Sequence, residues 1–197
     1  MMNVDCNHRP RLLLHICCAP CSTHPVRLLA SDYDLTAFFY NPNIFPPDEH
    51  TFRREEAGRY LTRQGIPLLT AGYDRREWLD TVRPYGDEAE GGYRCALCFE
   101  FRLRKTALLA ATLGIGVFTT TLTIGPNKPG RVIFPIGEKV GSESGVTFLP
   151  VDFKKKDGFK HSCTLSRAHG MYRQDYCGCE YSLRDRNLRQ SRHRRHG

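Results

Sequence analysis

Apolar residues along the chain fall into short unbroken runs separated by longer segments of helical spacing. Leu12-Leu13-Leu14-His15-Ile16 is a run of the first kind. It is too short for a helix and too apolar for a half-exposed strand, so it predicts a strand covered on both faces. Leu35 to Tyr40 and Ile66 to Thr70 predict two more strands, and the β-branched stretch Val117 to Thr123 a fourth. Thr147 to Val151 predicts a short fifth. Helical segments lie between them. One runs through Pro25 to Leu29 with Ser22 or Thr23 as its cap. A second, capped by Asp48, runs from Glu49 to about Gln64 and is closed by Gly65. A short helix, Arg75 to Val82, carries the only tryptophan, Trp78. A long one opens at Cys95-x-x-Cys98 and ends at Gly114. Arg131 to Ser142 is ambiguous, with helix as one option, and a further helix is expected around Ser166.

Four rounds of strand–helix alternation predict an α/β fold, a three-layer arrangement around a mostly parallel sheet. The later cysteines must fold back onto the first, which calls for a C-terminal helical cap. Residues 11–183 read as a single domain, with a flexible leader at 1–10 and a basic, disordered tail at 184–197. With 197 residues, 40% of them hydrophobic, the chain is long enough to bury a core without disulfide staples. No apolar run reaches the roughly eighteen residues of a membrane span, and residues 1–10 hold no signal-peptide core. The expected location is the cytoplasm.

Charge changes the picture at one end. The chain carries a net +8, and residues 184–197 hold six arginines against one aspartate. A basic tail suits a polyanion, because each phosphate contact releases counterions. A solvated terminus has the same composition.

The nine cysteines change it more. Seven of them stand in three tight groups: Cys17-Cys18-x-x-Cys21, Cys95-x-x-Cys98 and Cys177-x-Cys179. Cys6 and Cys163 stand alone. An odd count in a cytoplasmic chain argues against a disulfide framework. Thiolates two or three residues apart reach one soft metal without long loops, as zinc or an iron–sulfur cluster requires. Seven clustered thiolates exceed one tetrahedral site, so two centres, or one cluster with a second function, are indicated. A redox dithiol is the remaining option. The first group follows a strand and enters a helix, where open α/β sheets bind their ligands and the helix dipole favours thiolates. Neither G-x-x-x-x-G-K-[ST] nor G-x-G-x-x-G is present. The phosphate loop of ATP pyrophosphatases is also missing, and Cys17-Cys18-Ala19-Pro20-Cys21 takes its place.

His15-Ile16-Cys17-Cys18-Ala19-Pro20-Cys21-Ser22, Tyr40-Asn41-Pro42-Asn43-Ile44, Glu90-Gly91-Gly92-Tyr93-Arg94-Cys95-Ala96-Leu97-Cys98-Phe99 and Tyr172-Arg173-Gln174-Asp175-Tyr176-Cys177-Gly178-Cys179 occur in that order. Between them stand Arg102-Leu103, Thr119-Thr120-Thr121-Leu122 and Asp152-Phe153-Lys154-Lys155. Together they resemble the cobalamin-independent epoxyqueuosine reductase family, QueH, over roughly residues 11–183. The resemblance implies a fold of the adenine nucleotide alpha-hydrolase (HUP, Rossmann-like) type. It also implies reduction of the epoxide of epoxyqueuosine to an alkene at the tRNA wobble position, with a 4Fe–4S cluster and an adjacent mononuclear iron. By the same resemblance Cys17, Cys18, Cys95, Cys98, Cys177 and Cys179 are metal ligands, and Cys21 is a possible ligand of the second metal. The residues do not divide the ligands between the two centres. The stretch from Thr121 to Pro126 departs from the family in lacking a serine before the proline.

Deoxygenating an epoxide needs two electrons, a Lewis acid and protons. Candidate proton donors are Asp152, Asp175, Tyr176 and His15, each beside a motif, although His15 also fits a satisfied core histidine. Candidate phosphate contacts are Arg53, Arg54, Lys154, Lys155, Lys156, Lys160, Arg192, Arg194 and Arg195. Tyr40, Phe45 and Trp78 are candidate stacking platforms for a splayed anticodon base. An external electron donor is required, and the residues do not name it. The rival readings are a zinc-bearing RNA-binding module and a tRNA sulfur-transfer enzyme on the same fold.

Overall fold

The computed structural model describes residues 9–194, with side chains as far as residue 191. The expected leader and Cys6 fall almost wholly outside the described residues. Strand β1 (Arg11–Ile16) lies at the centre of the sheet. Its residues from Leu12 onward are all buried, as an apolar run without alternation requires. Helix α1 (Ala19–Leu29), β2 (Asp34–Phe39), α2 (Pro47–Arg63) and β3 (Leu68–Thr70) build one side of the sheet. Then follow α3 (Arg75–Val82), α4 (Tyr93–Thr112), β4 (Val117–Thr120), α5 (Gly130–Glu143) and β5 (Thr147–Phe148). The chain ends with α6 (Gly158–Ala168) and α7 (Glu180–Arg194). The strand order is β3-β2-β1-β4-β5 and every pairing is parallel.

Side chains of β1 alternate between two cores. Leu12, Leu14 and Ile16 pack with Val26 and Leu29 of α1 and with Ala57, Tyr60 and Leu61 of α2. Leu13 faces the opposite layer, with Phe99, Leu103 and Ala107 of α4 and Ile133 and Val140 of α5. The expected three layers are present. Helix α6 packs on the outer side of α1. The strand order reverses between β1 and β4, so a crevice opens beyond their carboxyl ends.

Several boundaries differ from the sequence reading. Helix α1 begins at Ala19, with Cys18 in extended conformation before it. Ser22 and Thr23 are therefore inside the helix, and their hydroxyls donate back to the carbonyls of Ala19 and Pro20. Asp48 lies in the first turn of α2, and Pro46 is the residue before it. Gly65 and Gly114 close α2 and α4 with φ of +68° and +63°, as expected. Strands β4 and β5 are shorter than their apolar runs. Hydroxyls take over from the backbone ladder there: Thr119 donates to Leu149 O, Thr123 to Val151 O, and Thr120 accepts from Leu122 N. The segment from residue 184, expected to be disordered, continues α7 to Arg194. Arginine, leucine and glutamine are good helix formers, so a strongly basic composition does not exclude a helix. Among the described residues no helix is long and apolar enough to cross a membrane.

Helix α5 approaches β5 at Gly137, where an added Cβ would meet the Phe148 ring at 2.6 Å. Gly137→Ala should therefore lower stability by about 1–3 kcal/mol in urea unfolding, despite alanine's better helix propensity. An unchanged midpoint would show that the ring yields.

Candidate metal centre and cavity

Cys17 and Cys18 end the connection from β1, and Cys21 lies in the first turn of α1. The three sulfurs are mutually within 4.8 Å, and those of Cys17 and Cys18 are 3.9 Å apart. The Thr121 hydroxyl donates to the Cys17 sulfur (3.6 Å) and the Gln174 amide to the Cys18 sulfur (3.2 Å). Hydrogen bonds from Cys18 and Cys21 hold Cys17 well toward thiolate. The same bonding pushes Cys18 up to about 12 and raises Cys21. The triad thus favours one thiolate over three. Ionising the other two thiols requires a cation.

The second group gathers from two elements. Cys95 and Cys98 sit in the first two turns of α4, and Cys177 and Cys179 flank Gly178 before α7. Cys98 and Cys179 share an apolar cluster with Trp78 and Val82. Burial raises the thiols of Cys95 and Cys98 and pushes Cys179 up to about 11, and neighbouring cysteines in the group add to each rise. Backbone N–H groups aim at two of these sulfurs: Gly91 N donates to Cys95 (3.3 Å) and Ser182 N to Cys179 (3.4 Å).

The Cys-Gly-Cys turn is held from outside. Gly178 O accepts from Phe45 N at 2.8 Å, and Arg53 Nη1 donates to Cys177 O at 3.4 Å. Gly178 has φ of +126°, and a Cβ there would lie 3.0 Å from Arg53 Nη1. Asn41 donates to Ile16 O and accepts from Arg102, which also donates to Cys98 O. The loop after β2 therefore ties both cysteine groups to the sheet.

Three arginines at this end of the molecule, Arg53, Arg94 and Arg102, are each only 2% exposed. Arg53 is paired with Glu49 at 2.7 Å. Arg94 and Arg102 form no ion pair among the described residues, and Nη2 of all three has no hydrogen-bond partner. Buried positive charge without a counter-charge is costly. The nearby cysteines, once ionised on a metal, would be the anions that offset it.

A cavity of about 240 Å³ opens beside both groups, taking Cys21 from the first and Cys177 from the second. Glu90, Lys128, Gln174 and Tyr176 also line it. Burial opposes the charge of Lys128, but the neighbouring sulfurs of Cys177, Cys17 and Cys21 outweigh it and push the ammonium's pKa up.

The sequence model of the epoxyqueuosine reductase QueH family matches residues 12–185. The epoxyqueuosine reductase QueH of Histophilus somni is 40% identical over 179 residues, covering 90% of this chain and 74% of that protein. That of Streptococcus pyogenes is 38% identical over 182 residues, covering 89% and 71%. The chain belongs to the epoxyqueuosine reductase QueH family. Its fold is similar to that of a U34-tRNA thiolase, NcsA from Methanococcus maripaludis, solved with its 4Fe–4S cluster. The TM-score is 0.58 at 12% identity, over 89% of this chain and 62% of that one. This likeness bears on the fold alone, which is of the adenine nucleotide alpha-hydrolase type.

Against this family setting, the remaining candidate residues separate. His15 is buried, with Nε2 against Tyr40 O (3.1 Å) and Nδ1 against Thr120 Oγ1 (2.8 Å). Burial lowers it to about 3, so it is a neutral core histidine that does not line the cavity. Asp152 pairs with Lys154 at 3.3 Å, also off the cavity. Tyr176 lines the cavity, but its hydroxyl donates to Phe45 O at 2.7 Å. Burial pushes that phenol up to about 12. Asp175 lines the cavity and pairs with Arg186 at 3.2 Å. Arg53 is a buried strut of the metal end, which corrects its reading as a phosphate contact. Lys154 is also engaged, donating to Thr123 O and Lys128 O. Lys155, Lys156 and Lys160 are exposed and Arg54 is half-buried. The side chains of Arg192 and Arg194, and all of Arg195, lie outside the described residues. Trp78 is 1% exposed and Tyr40 2%, so neither is a surface stacking platform. The Phe45 ring is covered by the Arg75 guanidinium at 4.6 Å.

Gly178→Ala should displace the turn against Arg53. The expected outcome is iron content reduced by half or more with a modest loss of thermal stability, read by metal analysis and calorimetry on protein kept from air. Full iron content would show that the turn tolerates a side chain.

Proposed function

We propose that this chain removes the epoxide oxygen of epoxyqueuosine in the wobble position of a tRNA to give queuosine. Both carbon–oxygen bonds of the epoxide break and a carbon–carbon double bond forms. Two electrons and two protons enter, and water leaves. The observation that carries this reading is a cavity that meets both cysteine groups beside Lys128.

The donor set fits the implied metal groups. Seven clustered thiols exceed one tetrahedral zinc. Two buried arginines without carboxylates suit a centre of net negative charge. Cys95, Cys98, Cys177 and Cys179 on one side, and Cys17, Cys18 and Cys21 on the other, would hold a 4Fe–4S cluster and an adjacent iron between them. When bound, these would deliver electrons singly and act as a Lewis acid. Lys128 presents its ammonium to the cavity and stabilises negative charge growing on the departing oxygen, as a fixed cation does in a partly dry site. Tyr176 secures the floor of the loop through Phe45. Asp175, exposed at the cavity and paired with Arg186, is the candidate through which a proton arrives from solvent. The electron donor is external to the chain.

Exposed Lys155, Lys156 and Lys160, with the arginines of α7, supply the phosphate-binding charge on this reading. A soluble cytoplasmic enzyme follows from a tRNA substrate. The sulfur-transfer alternative lacks a phosphate loop, since Cys17 to Cys21 fill its position after β1.

Cys95→Ala and Cys177→Ala should each abolish queuosine formation on epoxyqueuosine-tRNA and remove visible cluster absorption. Either variant retaining full turnover would contradict its assignment as a ligand. Replacing Arg192, Arg194 and Arg195 together with alanine should weaken tRNA binding and flatten the dependence of log K on log salt by up to about 3 units. An unchanged slope would return the tail to a solubility role.

A further inference from the structure

The cavity is lined by three cations, Lys128, Arg173 and Arg189, and by two carboxylates, Glu90 and Asp175. Asp175 is engaged: its Oδ2 accepts from Arg186 at 3.2 Å and from Gln190 at 3.4 Å. Glu90 has no hydrogen bond or ion pair with any described residue. Its loop is nevertheless fixed. The next residue, Gly91, has φ of +96° and donates its N–H to Cys95, while Gly92 N donates to Ala89 O. Glu88 accepts from Arg94 N at 3.1 Å. Among the described residues this carboxylate thus has no partner, and it lines a cavity that also carries three cations.

We infer that Glu90 is a specificity-determining residue that pairs with a cationic amine on the substrate base. The inference rests on the function proposed above. The epoxide-bearing ring of that substrate is joined to its 7-deazaguanine by a secondary alkylamine. Such an amine titrates near the range of lysine and is positive at neutral pH. Glu90 is the lining carboxylate with no partner among the described residues, so it is free to face a cation that enters beside Lys128, Arg173 and Arg189. Unmodified guanine carries no such charge. Glu90 thereby distinguishes the modified wobble base from guanine in an otherwise identical anticodon. The product keeps the amine, so the pairing acts on recognition and not on the chemical step.

Glu90→Gln keeps size and shape and removes the charge. The test compares anaerobic binding of one tRNA bearing either epoxyqueuosine or guanine at the wobble position. The wild-type protein should bind the modified tRNA at least about tenfold more tightly, the scale of one partly desolvated ion pair. The glutamine variant should lose that preference through weaker binding of the modified tRNA, its affinity for the guanine form unchanged. Its kcat/KM should fall about tenfold with the loss in KM, its iron and sulfide content should match the wild type, and Glu90→Asp should restore part of the preference. A glutamine variant that keeps the wild-type preference overturns the inference, as does one that loses iron, which would make Glu90 a support of the Cys95 loop. A wild-type protein that fails to convert epoxyqueuosine-tRNA at all overturns the proposed function, and the inference falls with it. Conversion by the wild type with an unaltered variant overturns the inference alone.

Discussion

Charge balance at the carboxyl end of the sheet is the constraint on which the rest depends. Seven thiol groups and three buried arginines converge there, and two of the arginines have no carboxylate partner among the described residues. Neither set is comfortable alone. Thiols buried and crowded together resist ionisation: burial first raises Cys179, and shared hydrogen bonds within the triad raise Cys18 and Cys21. Guanidinium groups taken out of water need anions. Thiolates bound to metal satisfy both, and much of the surrounding loop structure serves to keep the two sets together.

The fold supplies the place for that balance. A parallel sheet whose order reverses beside its central strand leaves a crevice at the strand ends. Cys17 leaves β1 at that crevice and meets Thr121, which follows β4. Where a nucleotide-binding relative of the fold needs a loop of small residues for phosphate, this chain has sulfur. Asn41 and Arg102 then transmit the position of β1 and β2 to α4, and Gly178 and Arg53 transmit that of α2 to the last two cysteines. The site is assembled from five separate stretches of chain, which is why its motifs are scattered from residue 15 to residue 179.

Much of this was legible in the sequence. Helix α3 has the bounds its pattern gave, and the unbroken apolar run of β1 announced a doubly covered strand. The three cysteine groups marked the metal end without any structure. What failed had local physical causes. Ser22 and Thr23 resemble caps, but Pro20 is compatible with a first helical turn and lets the helix begin at Ala19. Arg53 and Lys154 looked like surface charge because composition cannot show that a guanidinium is spent on Cys177 O or an ammonium on Lys128 O. For Trp78 a tryptophan on a short helix fits the core better than a stacking platform, and it does form the wall of the Cys98 and Cys179 cluster. Neither Lys128 nor Glu90 is marked as a site residue by the sequence, because each lies in a loop with no periodicity to show its direction. The one available signal was adjacency, since Glu90 precedes the glycine pair leading to Cys95.

The balance between thiolates and arginines is tested most directly by metal and sulfide content. Iron, zinc and acid-labile sulfide should be counted per chain on protein purified without oxygen. About four or five irons with four sulfides is the expected result, a cluster with one further iron. One or two zincs with no sulfide, even after reconstitution with iron and sulfide, would contradict it and leave the thiolates structural.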